Sequence, residues 1–277
     1  MTQHTRRAFL AAAGGLSVGL AGCLGLESGA NDSSSTTDES NGDSSVIRDA
    51  RVEETELVIE VREETVDRIT VIDPTGEAFA DRELTPGATR MTIRIGTRYR
   101  PGEYRIHAVR DGEQIAESVM QIAPKVEIVD VRVGANHLDE MPEGLGNSRD
   151  VEAIVRIRNE GTGPTTIRGL MFEGDVPNPT EREEILTNNG RSGIYDSEDG
   201  GDLEEFMLTG GEQATLYSST LPFSWARTAG GCQVSGGKIT VLVLHGQALQ
   251  ETSWEEKVSY TPGSGEYKCE TTLSEAE

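Results

Sequence analysis

The feature that most constrains the fold is an alternation of apolar and polar residues with a period of two. In TELVIEVRE, residues 55–63, the apolar Leu57, Ile59 and Val61 are separated by residues that include charged side chains. RMTIRIG, residues 90–96, repeats the pattern. Successive side chains of a strand point to opposite faces, so this period indicates strands with one buried face. Helical periodicity is almost absent, and we therefore predict an all-β fold.

Turn sequences separate these strands and leave no room for helices between them. They are Asp73-Pro74-Thr75-Gly76, Pro86-Gly87, Pro101-Gly102 and Asp111-Gly112. Glycine and proline at these positions are typical of β-turns. Short strands at this spacing predict a β-sandwich.

One stretch points to a particular kind of sandwich. In YRPGEYRIHAV, residues 99–109, a Pro-Gly turn leads into a strand whose inward residues are Tyr104, Ile106 and Ala108. The stretch resembles the penultimate strand of bacterial and archaeal immunoglobulin-like domains. That resemblance implies a corner tyrosine whose hydroxyl bonds to nearby backbone. Residues 46–123 are accordingly predicted to form the first immunoglobulin-like sandwich.

A second, larger sandwich is predicted over residues 124–277. In KVEIVDVRVG, residues 125–134, the apolar phase slips midway, as in a first strand that crosses between sheets through a bulge. VEAIVRIRNEGTGPTTIRGLMFEG, residues 151–174, resembles the immunoglobulin-like repeats of prokaryotic surface proteins called CARDB domains, through its strand–NxGxxP–strand pattern. Further strands are expected near 213–220, 238–245 and 253–261.

The strand KITVLVLH, residues 238–245, is apolar on both faces. Ile239, Val241 and Val243 lie on one face, and Leu242 and Leu244 lie on the other. A strand with one face in water does not have this pattern. We therefore expect a central strand whose second face is covered either by the 174–210 insertion or by the first sandwich.

The N-terminus has the form of an export signal. Residues 8–21 carry no charge but are fewer than the about 20 residues of a bilayer span. Arg6-Arg7 before them resembles a twin-arginine signal, and Leu20-Ala21-Gly22-Cys23 resembles a lipobox, which implies a lipid on Cys23. Residues 1–22 are thus interpreted as a signal peptide. The alternative is an uncleaved anchor over residues 9–26.

Residues 23–45 are predicted to be a disordered acidic tether behind the lipidated cysteine. The segment is rich in Ser, Asp, Glu, Asn and Gly and has almost no large apolar residue with which to form a core. Asn31, in Asn31-Asp32-Ser33, is a candidate glycosylation site. Both interpretations of the N-terminus place the rest of the chain on the extracellular face of the cell membrane.

The charge is strongly negative. The chain has 48 acidic and 25 basic residues, a formal net charge of −23. Such an excess repels nucleic acid, so no nucleic-acid partner is expected. The negative charges of the chain also repel one another in dilute buffer, whereas molar salt screens this repulsion. This composition resembles that of proteins from salt-loving archaea, which export many proteins by the twin-arginine route. An ordinary acidic surface protein is the alternative.

The remaining cysteines, Cys232 and Cys269, are an even pair in a chain expected outside the cell. Such a setting favours a disulfide between them, and two free buried thiols are the alternative.

Two acidic loops are the candidates for metal chemistry. The loop at residues 188–205 is rich in glycine, and its carboxylates suit calcium, which prefers oxygen ligands and which immunoglobulin-like surface domains often bind. The candidate calcium ligands are Asp196, Glu198, Asp199 and Asp202. In the loop at residues 136–150, His137 lies among acidic residues and is a second candidate. A hydrated acidic surface is the alternative for both loops.

These patterns predict a lipid-anchored, extracellular protein that binds or organises partners at the cell envelope and is not an enzyme. The expected partners are membrane lipid, through Cys23, and an envelope protein or a surface glycan. No cofactor is expected apart from calcium. The alternatives are a hydrolase or metalloenzyme that uses the loops at 136–150 or 188–205, and a solute-binding lipoprotein of a transporter.

Overall fold

A computed structural model describes residues 46–63, 65–187, 191–226, 232, 236–263 and 269–275. The signal peptide, the tether, the lipobox cysteine Cys23 and the candidate glycosylation site Asn31 lie outside the described residues. None of the helices described is both long enough and apolar enough to cross a membrane.

The first seven strands form two antiparallel sheets. They are β1 (Ile47–Glu53), β2 (Glu56–Val61), β3 (Arg68–Ile72), β4 (Ala78–Glu83), β5 (Arg90–Arg94), β6 (Gly102–Arg110) and β7 (Glu113–Ile122). One sheet has the order β1-β2-β5 and the other has the order β4-β3-β6-β7. The alternating residues of β2 and β6 are buried in the core between them, as predicted.

Tyr104 of β6 occupies the predicted corner position. Its side chain is fully buried, and its hydroxyl donates a 2.9 Å hydrogen bond to the carbonyl oxygen of Arg100. The ring of Phe79 packs edge-on against it, with ring centroids 5.5 Å apart. The corner implied by the immunoglobulin resemblance is thereby confirmed.

Eight further strands form a second pair of antiparallel sheets. They are β8 (Val126–Val133), β9 (Ala153–Asn159), β10 (Thr165–Gly174), β11 (Phe206–Leu208), β12 (Gln213–Tyr217), β13 (Gly236–His245), β14 (Gln250–Pro262) and β15 (Cys269–Glu275). The sheet orders are β12-β9-β8 and β11-β10-β13-β14-β15. One short helix, α1 (Arg182–Thr187), follows β10, and 3-10 turns occupy Gly134–Asn136 and Glu143–Ser148.

The phase slip in β8 is a bulge, as predicted. The pairing with β9 shifts between Ile128 and Asp130. However, β8 pairs with β9 on both sides of the bulge, so the expected crossing to the other sheet is wrong. The bulge changes which side chains point inward without moving the strand to another sheet.

The central position of β13 is confirmed. It pairs with β10 on one side and β14 on the other, and its outward Leu242 and Leu244 form a small buried cluster with Met171. Ile185 of α1 packs against this cluster. The second apolar face is therefore covered by the 174–210 insertion, and two tandem immunoglobulin-like sandwiches are the fold of the described chain.

Candidate functional site

The segment that joins the two sandwiches is held by a loop of the second one. β7 ends at Ile122 and β8 begins at Val126, so the connection is very short. Loop 159–164, which we call the clamp loop, bonds along it: the Glu160 amide donates to the Lys125 carbonyl at 2.8 Å, and the Gly163 amide donates to the Ala123 carbonyl at 3.0 Å. These bonds fix the connection to the second sandwich.

Asn159 organises the clamp loop from the end of β9. Its side chain is fully buried, and Oδ1 accepts hydrogen bonds from the amides of Lys125 at 2.9 Å and Gly161 at 3.0 Å. Nδ2 donates to the carbonyl oxygens of Gly163 at 2.9 Å and Thr209 at 3.0 Å. The asparagine of the NxGxxP pattern thus satisfies backbone groups that the short connection would otherwise leave buried without partners.

The clamp loop also reaches the first sandwich. Thr162 Oγ1 donates a 2.6 Å hydrogen bond to the carbonyl oxygen of Gln121 in β7. Tyr99, in the segment between β5 and β6, lies so close to Gly163 that a Cβ on this glycine would be 2.0 Å from the tyrosine hydroxyl oxygen. That hydroxyl is buried without a hydrogen-bond partner among the described residues, and burial raises the pKa of Tyr99 above its ordinary value.

A cleft opens beside this contact, with a cavity volume of about 230 Å³. Its walls come from both sandwiches. Tyr99 and Arg100 belong to the first, whereas Thr165 begins β10, Gln247 lies in the turn after β13 and Gln250 begins β14. We call it the junction cleft. Its position between two bodies is typical of ligand sites.

The composition of the junction cleft differs from that of the chain. Although the chain has 48 acidic residues, no carboxylate lines the cleft in the described part of the protein. No hydrogen bond or ion pair to another described residue involves the side chains of Arg100, Gln247 and Gln250, although Arg100 interacts electrostatically with Asp73. Their donors and acceptors are therefore available to a ligand.

A second notable group is the buried carboxyl of Glu152, immediately before β9. Only 1% of the residue is exposed, and Oε2 accepts hydrogen bonds from Ser218 Oγ and, at 3.1 Å, from the Leu221 amide. Burial raises the pKa of Glu152 to about 7, the two hydrogen bonds oppose this, and the nearby Asp202 adds to it. Its charge therefore changes near neutral pH.

The segment that Glu152 holds is in turn bonded to the acidic loop. Ser219 Oγ donates a hydrogen bond to Asp202 Oδ1, and the Ser219 amide donates to the Gly193 carbonyl at 3.1 Å. A Cβ on Gly144 would lie 2.2 Å from the Tyr195 hydroxyl oxygen, so the two loops of the metal hypothesis meet here. Because Glu152 is buried, the arrangement suits a structural role better than contact with a substrate.

The four candidate calcium ligands do not face one another as a cage. Asp196 Oδ1 caps its own turn by accepting the amides of Glu198 at 2.9 Å and Asp199 at 3.2 Å. Asp202 lies 3.7 Å from Arg191 and bonds Ser219. Across the described residues, no group of three or more His, Cys, Asp or Glu could hold a metal ion. Calcium binding at this loop stays an untested prediction.

The second metal hypothesis places His137 beside Glu140, with Nδ1 3.4 Å from Oε1. Glu140 is already bound by two arginines, Arg132 at 2.6 Å and Arg156 at 2.8 Å. Two guanidinium groups neutralise the carboxylate and repel a metal cation. The loop at 136–150 is thus part of an ion-pair network on the outer face of β8 and β9.

The two cysteines lie at the end of the β13–β14–β15 meander. A disulfide joins Cys232 to Cys269, with Cα atoms 5.8 Å apart. Cys269 begins β15 opposite Pro262, so the link attaches the segment before β13 to the edge strand of the sheet.

Comparison with known proteins gives no family. No protein-family model matches the chain, and no curated protein matches it. Among solved structures, a β-glucuronidase from glycoside hydrolase family 2 has a TM-score of 0.24 and 9% identity, over 76% of this chain and 19% of its own length. A two-domain fibronectin type III segment from chicken tenascin has a TM-score of 0.25 and 14% identity, over 76% of this chain and 97% of its own length.

A third similar structure, the BSP domain of a biofilm associated protein, has a TM-score of 0.23 and 13% identity, over 74% of this chain and 27% of its own. The chain spans only about a fifth of the glucuronidase that it matches. Likeness at these scores carries no argument about what this chain binds.

Sequence reasoning missed both the junction cleft and Glu152. Arg100 lies between β5 and β6, whereas Gln247 and Gln250 lie in the turn after β13 and at the start of β14, and only the packing of two sandwiches brings them together. Glu152 is one of the polar residues that alternate with apolar ones over residues 151–157, so the sequence predicts that its carboxylate faces solvent. The segment after β12, which contacts the carboxyl through Ser218 and Leu221, is distant in sequence, so no local pattern reveals the burial.

Proposed function

We propose that this chain is a lipid-anchored protein on the extracellular face of a salt-loving archaeal cell, where it binds or organises a partner without catalysing a reaction. The observation that carries the binding or organising role is the clamped junction, whereas the anchoring rests on the N-terminal sequence. A connection bonded along its length by the clamp loop, around the buried Asn159, suits a stiff two-sandwich body better than a pair of loosely tethered domains.

The N-terminal sequence supports the surface location. A lipid on Cys23 would attach the chain to the outer leaflet, and the tether at 23–45 would hold the body clear of the headgroups. The formal charge of −23 supports a high-salt setting and disfavours anionic partners such as nucleic acid.

The hydrolase alternative is less well supported. A carboxyl group with a pKa near 7 suits acid–base chemistry, and Glu152 has one. However, the group is buried and its Oε2 is bonded to Ser218 and Leu221, so a substrate has no access to it in this conformation. Glycoside hydrolases among similar structures add nothing, because the TM-scores are too low.

The proposal is tested by expressing the full chain and its Cys23→Ser variant in a salt-loving archaeal host. We expect the unaltered chain in the membrane fraction and accessible to protease added to intact cells. The variant should appear in the medium or as an unprocessed precursor. Normal processing and membrane attachment of the variant would contradict lipid anchoring, and protection of the unaltered chain from external protease would contradict the surface location.

A further inference from the structure

We propose that the junction cleft is a binding site for one hexose-sized saccharide unit. The inference rests on the proposed surface-binding function and deepens it by naming the class of ligand and the residues that hold it. It concerns a site formed by both sandwiches, so it depends on the clamped junction.

The size of the cleft fits this ligand. Its volume of about 230 Å³ corresponds to roughly eight water molecules at about 30 Å³ each. A single pyranose ring with its hydroxyl groups fills such a space. One ring could be the end or a branch of a longer glycan, because the cleft is open to solvent.

The polar groups of the cleft also fit a saccharide. Arg100, Gln247 and Gln250 offer guanidinium and amide groups that other described residues do not occupy. The guanidinium can donate to adjacent hydroxyls of a sugar, and each amide can both donate to and accept from them. The absence of carboxylates from the described lining disfavours a metal ion, and a single arginine in a strongly acidic protein disfavours a phosphate.

The apolar part of the lining is supplied by rings. Tyr99 and three prolines, Pro101, Pro124 and Pro164, line the same cleft. A pyranose has a polar rim and a face of C–H groups, and it can pack that face on such rings while its hydroxyls bond to the amides.

The walls are held in place before any ligand arrives. Pro124 belongs to the connection that the clamp loop bonds, and Pro164 ends that loop. Tyr99 is held against Gly163. A pre-formed site loses less conformational freedom on binding, which makes weak individual contacts sufficient.

The test is saturation-transfer NMR on the full-length chain in molar salt. The probes are the methyl glycosides of glucose, galactose, N-acetylglucosamine and glucuronic acid, each titrated into the millimolar range. We expect at least one to bind. Arg100→Ala and Gln250→Ala should each weaken binding about tenfold, because each removes hydrogen bonds to the ligand. Ala248→Trp, which fills the cleft, should abolish it.

Matched controls separate the cleft from the general surface. Arg98→Ala and Gln213→Ala remove the same side-chain types from exposed positions outside the cleft, and binding should be unchanged. Circular dichroism confirms that each variant is folded. Equal weakening by controls and cleft variants, or no binding of any probe, overturns the inference. A surface-anchored chain that binds no probe loses this inference alone, and a chain found inside the cell loses the proposed function whatever it binds.

Discussion

The hydroxyl oxygen of Tyr99 in the first sandwich occupies space that only a glycine at position 163 of the second sandwich can leave free, since a Cβ there would lie 2.0 Å from it. Gly163→Ala should therefore destabilise the protein by about 1–3 kcal/mol, as overpacking does. Denaturant unfolding in molar salt measures this. In a Tyr99→Phe background the penalty should shrink, because the closest atom is gone. An equal penalty in both backgrounds would contradict this contact.

Asn159 is the most heavily bonded side chain of the junction. Asn159→Ala leaves backbone groups of Lys125 and Gly161 without their acceptor, so we expect a loss of about 2–4 kcal/mol in the free energy of unfolding. Asn136→Ala, which removes one bond to the Thr271 carbonyl, is the control and should lose about 1 kcal/mol. Similar losses for the two variants would show that Asn159 does not organise the junction.

Glu152 makes stability depend on pH. Burial raises its pKa in the folded chain to about 7, above the ordinary value of 4.5, so the folded state binds more protons between these values. Its contribution is fully present below pH 4.5 and is lost as pH rises toward 7. Glu152→Gln should therefore be more stable than the unaltered chain at pH 8, by up to about 3 kcal/mol, with a smaller gain at pH 5.

The control for this measurement is Glu143→Gln, an exposed carboxylate on the neighbouring 3-10 turn. In urea unfolding at pH 5 and pH 8, this variant should leave the pH dependence of the free energy of unfolding unchanged. If Glu152→Gln gave the same gain at pH 5 as at pH 8, the carboxyl would not titrate in this range.

The two sandwiches should respond differently to salt. Residues 46–123 carry 16 acids and 11 bases, net −5, whereas residues 124–277 carry 27 acids and 12 bases, net −15. Lowering the salt from about 1 M to about 10 mM lengthens the screening distance from about 3 to about 30 Å. The second sandwich should unfold first, and reduction of Cys232–Cys269 should raise the salt it needs. Circular dichroism and limited proteolysis across a salt series measure the unfolding of each sandwich. Full protease resistance of both sandwiches at about 10 mM salt would contradict the prediction.

The sequence predicted the fold because its signals are local. The alternation in β2 and β6 sets which side chains are inward, and the two apolar faces of β13 predicted a cover that α1 supplies through Ile185. β15 escaped prediction, since its residues after Cys269 are mostly polar and lie at a sheet edge. The expected sheet crossing by β8 was wrong because a bulge alone accounts for the phase slip.

The site was less predictable because it is assembled from distant residues. The NxGxxP pattern marked residues 159–164 as a turn between strands, but nothing local shows that Asn159 bonds to Lys125 across the connection. Likewise, Arg100 before β6 and Gln250 at the start of β14 are ordinary polar residues until two sandwiches place them in one cleft. Contacts of this kind depend on the relative placement of two cores, which alternation within a strand does not encode.

The central claim is that Cys23 attaches the body to the extracellular face of the cell membrane. Mass spectrometry of the mature N-terminus tests this claim most directly. The measurement is made on chain purified from the membranes of a salt-loving archaeal host. We expect the mature chain to begin at Cys23 with a lipid on its sulfur, and residues 1–22 to be absent. A chain that retains residues 1–22 with an unmodified Cys23 would contradict the claim and would favour an uncleaved anchor over residues 9–26.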